Sequence, residues 1–161
     1  MTGVSDASDR PVTLVSACLL GTCCNHEGRG SARPRVQALA ESARLVPICP
    51  EAVGGLGTPR EAAEIVGGDG GDVLDGTARV MTGSGVDVST AYRRGAGAAV
   101  EVARATGATR AILKARSQSC GADAVYDGTF TRTQHRGPGV TAAALRAAGI
   151  DVVSDEDLGS S

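Results

Sequence analysis

The sequence predicts a single-domain α/β protein with a mainly parallel sheet and helices on both faces, a Rossmann-like three-layer arrangement. Short runs rich in β-branched residues alternate with longer stretches of helical period. At the end of the chain Gly149 closes a helix and a strand follows with no room for a long loop, as in the helix-to-strand turn of a βαβ unit. The composition agrees: 161 residues, 42% of them hydrophobic, suit one domain with one core. Tyr92, Tyr126 and Phe130 are the only aromatics, so that core must be built from Val, Leu, Ile and Ala, with Ala-rich helices lying close to the sheet.

Strands are expected at Val12 to Ala17, Leu45 to Ile48, Ala78 to Thr82, Ala111 to Ala115 and Asp151 to Val153. Helices are expected over Arg33 to Arg44, Val88 to Thr106 and Val140 to Ala148. In the second helix Asp87 reads as the N-cap and Gly107 as the stop, while Val88, Tyr92, Ala96, Ala99, Val102 and Ala103 form a core stripe. The 23 glycines form no repeat and punctuate the chain between periodic segments. The domain is expected over residues 12–154, with flexible ends at 1–11 and 155–161.

Cys18, Cys49 and Cys120 each fall where a predicted strand gives way to a loop. In open parallel sheets ligands bind beyond the carboxyl ends of the strands, so this layout converges three thiols on one edge and reads as a metal or sulfur site. A formal charge of −2 argues against a broad nucleic-acid footprint and favours a small substrate. No apolar run is long enough to cross a membrane, and Met1 to Arg10 is polar and acidic, so a cytoplasmic location is expected, where thiols stay reduced.

The ordered motifs resemble a known family. They are Ser16 to Gly21 with Cys24 beyond, Pro47 to Glu51, Gly54-Gly55-Leu56-Gly57-Thr58-Pro59-Arg60, Ala63-Glu64-Ile65, Gly68-Asp69-Gly70 and Asp72-Val73-Leu74. Leu113 to Ser117, Ser119-Cys120-Gly121, Tyr126 to Phe130 and Gly139 to Ala143 continue the series. Over about Val12 to Ser154 the chain looks like the former domain-of-unknown-function family that includes bacterial 2-thiouracil desulfidase. The resemblance implies non-redox desulfuration of a thiolated pyrimidine or related thiocarbonyl compound, with sulfide released on C–S cleavage. It implies a 4Fe-4S cluster held by Cys18, Cys49 and Cys120 and supplied by iron-sulfur assembly machinery.

Three thiolates leave one iron open, able to take up a substrate sulfur as water attacks the adjacent carbon. Glu51, two residues after Cys49, is the candidate base; the plain alternative is a turn cap. Ser117 and Ser119 are candidates to hydrogen-bond the ring or a cluster sulfur, against the alternative of bonding local backbone. Cys24 is a possible fourth ligand, and Cys23 a weaker one. Lys114, Arg116 and Arg60 are candidates to orient a substrate oxygen, or else are solvated or paired charges. His26 and His135 lack metal-ligand spacing to the cysteines. Gly67 to Asp72 lacks the lysine of a phosphate loop and is expected to form a flexible cover in which Asp69 and Asp72 fix turns. Two other functions compete: a zinc protein, though paired C-x-x-C spacing is absent, and a persulfide-based sulfur carrier or redox module.

Overall fold

A computed structural model of the chain describes residues 10–22 and 27–158. Its centre is a parallel sheet of four strands: β1 (Val12–Ser16), β2 (Arg44–Ile48), β5 (Arg110–Leu113) and β8 (Asp151–Ser154), in the order β2-β1-β5-β8. Register pairs Leu14 with Val46 on one side and Ala111 on the other, and Ile112 with Val153. Leu14, Val15, Ile112 and Leu113 are all fully buried, as strands covered on both faces require.

The cover on one face comes from α4 (Ser89–Thr106) and α5 (Val140–Ala147), whose Ala99, Ala103, Ala142 and Leu145 pack with Leu14 and Leu113. On the other face α1 (Pro34–Ala38) places Val36 against Val15 and Ile112. The α4 stripe is buried at Tyr92, Ala96, Ala99 and Ala103. The N-cap residue is Val88 and not the expected Asp87, which sits one position earlier and accepts the Ser89 N–H on Oδ1 at 2.9 Å; Gly107 ends the helix in the left-handed conformation at φ 74°.

The predicted helix over 33–44 is shorter than its alanines suggest. It starts with Pro34 at its first position, gives way to a 3-10 turn at Leu39–Glu41 and ends because Arg44 N–H is taken by Pro11 O at 2.9 Å, which begins β2. Pro47 lies on β2, which is an edge strand and tolerates the missing N–H.

The expected strand around residues 78–82 is β4 (Arg79–Thr82), but it is not part of the parallel sheet. It pairs antiparallel with β3 (Ala63–Val66), with Ile65 opposite Val80. Glu64 hides β3 from a hydrophobic reading; its buried carboxylate accepts the Gly128 and Phe130 N–H groups, each at 3.0 Å. Those bonds tie β3 to a second hairpin, β6 (Ala124–Tyr126) with β7 (Gln134–Arg136). The glycine-rich stretch is a helix start rather than a flexible cover: Asp69 and Asp72 form a reciprocal capping box on α3 (Gly70–Asp75), and Gly70 N–H donates to Pro138 O at 2.7 Å.

Past β2 a short α2 (Pro50–Val53) lies directly on α4. A Cβ at Gly95 would come within 2.0 Å of Pro50 O, and one at Gly54 within 2.1 Å of Ala91 O. Two glycines thus allow the backbones of α2 and α4 to touch. After β8 the chain makes a 3-10 turn, Asp155–Asp157, in which Asp155 is buried.

Candidate active site

Three strand ends carry the three cysteines to one place. Cys18 lies in the 3-10 turn Ala17–Leu20 that continues β1, closed by Gly21 at φ 100°. Cys49 is the N-cap residue of α2, immediately after β2. Cys120 lies in the loop after β5. All three line a cavity of about 510 Å³ at the carboxyl edge of the sheet, where β1 and β5 adjoin and the connections leave in opposite directions. Cys18 and Cys120 are buried, Cys49 is half-buried, and none of the three is in a disulfide.

Burial pushes the Cys18 thiol up, with Lys114 pulling the other way. Burial pushes Cys120 up to about 12, against a hydrogen bond from Ser16, and both neighbouring thiols add to the rise. These thiols therefore keep their protons until a cation takes the protons' place. The donor set is all sulfur, which suits soft metal centres. No group of three or more His, Cys, Asp or Glu among the described residues is arranged to chelate a single ion. The three cysteines line one shared cavity, and an all-sulfur donor set fits an iron-sulfur group. Cys23, Cys24 and His26 lie outside the described residues.

Glu51, on the first turn of α2, faces the same cavity but does not cap the turn. Its Oε2 accepts two N–H groups of Arg60, from Nε at 2.9 Å and from Nη2, and its Oε1 accepts the Tyr92 hydroxyl at 2.9 Å. The pair is largely out of water, with Arg60 and Glu51 side chains 9% and 15% exposed. Arg60 is held further by Gly57 O at 3.1 Å and Thr58 Oγ1 at 3.0 Å. Tyr92 loses its proton only well above the usual tyrosine range, through burial and the adjacent Glu51 charge, so it serves as a donor.

The Cys120 loop is fixed by its serines. Ser117 Oγ accepts the N–H groups of Ser119 at 3.2 Å and Cys120 at 3.0 Å, leaving its own proton to donate. Ser119 is buried with its hydroxyl 2.8 Å from Thr141 Oγ1, so it anchors the loop to α5 instead of reaching for a ring. Ser16 Oγ accepts the Lys114 N–H at 2.9 Å and bonds the Cys120 thiol. Asp155 accepts the Ala115 N–H at 2.8 Å and Arg33 Nε at 3.3 Å, joining the strand end to the loop beyond Cys18.

The sequence reading thus placed Cys18, Cys49, Cys120, Glu51, Ser117 and Ser119 around one cavity, and all six line it. It missed Tyr92, read as core, and Ser16, read as strand. The signal for Tyr92 was a hydroxyl on an otherwise apolar stripe, since a buried tyrosine needs a partner.

The chain matches the sequence model of the 2-thiouracil desulfurase family over residues 13–157. It is 45% identical over 145 residues to the uncharacterized protein YbbK of Bacillus subtilis (strain 168), covering 90% of this chain and 96% of that protein. Its fold is similar to the solved structure of the [4Fe-4S]-dependent thiouracil desulfidase TudS, with a TM-score of 0.80, 38% identity, and coverage of 92% of this chain and 93% of that one. With the family pattern spanning the whole sheet and every element that carries a cysteine of the cavity, the chain belongs to the 2-thiouracil desulfurase family.

Proposed function

We propose that the protein is a 4Fe-4S-dependent desulfidase that replaces the sulfur of a thiolated pyrimidine or related thiocarbonyl compound with oxygen. Cys18, Cys49 and Cys120 would hold the cluster as thiolates. The observation that carries this reading is that three separate strand ends bring all-sulfur donors to one 510 Å³ cavity. When bound, such a group supplies an iron without a protein thiolate, a Lewis acid suited to a substrate sulfur.

The chain's own residues do the rest. Glu51 takes a proton from the attacking water at Oε1, because Oε2 is already occupied by Arg60 while Oε1 carries only the Tyr92 hydroxyl. Arg60 and Tyr92 fix that carboxylate so that it cannot rotate away. Ser117 donates its hydroxyl proton to a bound acceptor. Ser119 contributes by holding the loop in place. Among the described residues no helix is long and apolar enough to cross a membrane, in keeping with the cytoplasmic setting we propose, where assembly machinery would supply the cluster.

The test is anaerobic reconstitution followed by iron and sulfide analysis and addition of 2-thiouracil. The expected result is about four irons and four sulfides per chain, and conversion to uracil with release of sulfide. Protein that binds only one metal per chain, or a full cluster without turnover, would overturn the cofactor or the substrate respectively.

A further inference from the structure

The cavity has one half-buried positive charge that acts on Cys18 through space but is held in no hydrogen bond or ion pair with a described residue. Of the acids around it, Glu51 is taken by Arg60 and Tyr92, Glu61 by the N–H and hydroxyl of Ser84, and Glu64 by Gly128 and Phe130. Glu27 pairs with Arg29 at 3.8 Å. On the neighbouring turn Asp155 is taken by Ala115 and Arg33, and Glu156 by Arg116 at 2.7 Å. Arg60 and Arg116 are thereby committed. Lys114 is half-buried and makes no side-chain hydrogen bond or salt bridge to any described residue. Arg132, the other lining cation outside these pairs, is exposed.

The position of Lys114 is fixed although its ammonium is not. It follows the last residue of β5, and its N–H is held by Ser16 Oγ at the end of β1. It therefore stands where two central parallel strands end, on the carboxyl edge where Cys18 leaves the sheet. A flexible lysine on a surface loop loses little by lacking a partner. One rooted at the end of a central strand and lining a cavity is a ready counter-charge for a bound anion.

From this geometry we propose that Lys114 is the anion-binding residue of the site. Its ligand class is a cyclic thioamide or thioureide that has lost a ring proton to solvent and carries the charge on its N–C–S or N–C–O unit. The inference rests on the proposed desulfidase function and narrows the substrate: thiocarbonyl compounds with an ionisable N–H are accepted, and neutral ones that cannot ionise are not. No bond is made or broken in this step. Lys114 supplies one charge-assisted hydrogen bond.

The test uses equilibrium binding of 2-thiobarbiturate, an anion at neutral pH, to reconstituted wild type, Lys114→Gln and Lys114→Arg. Wild type should bind it, the glutamine variant should bind about tenfold or more weakly, and the arginine variant should recover most of that loss. Iron content and the visible spectrum should be the same in all three. Equal binding by the glutamine variant, or no binding by wild type, would overturn the proposal. So would iron loss confined to the glutamine variant, which would assign the charge to the thiolates. Failure of wild type to desulfurate 2-thiouracil while Lys114-dependent binding persists would overturn the desulfidase reading and leave the anion site standing.

Discussion

The wall of the cavity that carries Cys120 is built from hydrogen bonds of main-chain N–H groups, and the wall that carries Cys49 mainly from side chains. Around Cys120, Ser117 gathers two N–H groups, Gly121 N–H returns to Ser117 O at 2.8 Å, and Ser119 O accepts from Thr141 N–H at 2.8 Å. Around Cys49 the strand is an edge strand and the helix that follows has a single turn. That helix is kept in place by the Glu51–Arg60 pair, the Tyr92 hydroxyl and the backbone contact at Gly95. A thiol can thus be preorganised either by main-chain bonds within its loop and to the start of α5, or by a helix held through side chains. The second kind depends on a few individual side chains, so a single substitution can release it.

The largest test removes a thiol from either wall. Cys49→Ala and Cys120→Ala should each lose essentially all cluster iron and all desulfuration, measured after anaerobic reconstitution; retention of a full cluster by either would break the symmetry between the walls. Next comes Arg60→Ala, which leaves Glu51 nearly buried without its cation and should cost about 2–4 kcal/mol in urea unfolding, with reduced iron loading. Gly95→Ala should destabilise by about 1–3 kcal/mol by pushing α2 off α4, and should lower iron loading as well, because Pro50 adjoins Cys49. Smallest is Thr141→Val, which unpairs the Ser119 hydroxyl and should cost about 1 kcal/mol in thermal unfolding with iron loading unchanged. Iron loss in Thr141→Val, or none in Gly95→Ala, would reverse the contrast drawn between the two walls.

Legibility in the sequence follows the same division. The parallel strands and α4 and α5 were readable because burial on both faces of the sheet demands uninterrupted β-branched runs and a clear helical stripe. β3 was not, because Glu64 sits in it and is buried only through two amides brought from residues 64 and 66 positions away. The helix after Arg33 was read too long, since its stop is set by a strand pairing at Pro11 and not by a local breaker. In the site, the cysteines were readable from their place at strand ends. Arg60 and Tyr92 were not assigned to Glu51, because an ion pair across a glycine- and proline-rich segment has no period, and a tyrosine in a core stripe signals only its ring.

The edge strand that carries Cys49 also bears on the life of the chain before any metal arrives. β2 is at the edge of the parallel sheet, and its outer side would be a template for another chain's strand. Pro47 lies in that strand, opposite Val15, and exposed Arg44 starts it. A proline removes one donor from the row that an incoming strand would need, and a charge at the end disfavours stacking against a second copy. The segment that brings Cys49 to the cavity thus carries its own guard against edge-to-edge pairing with a second chain.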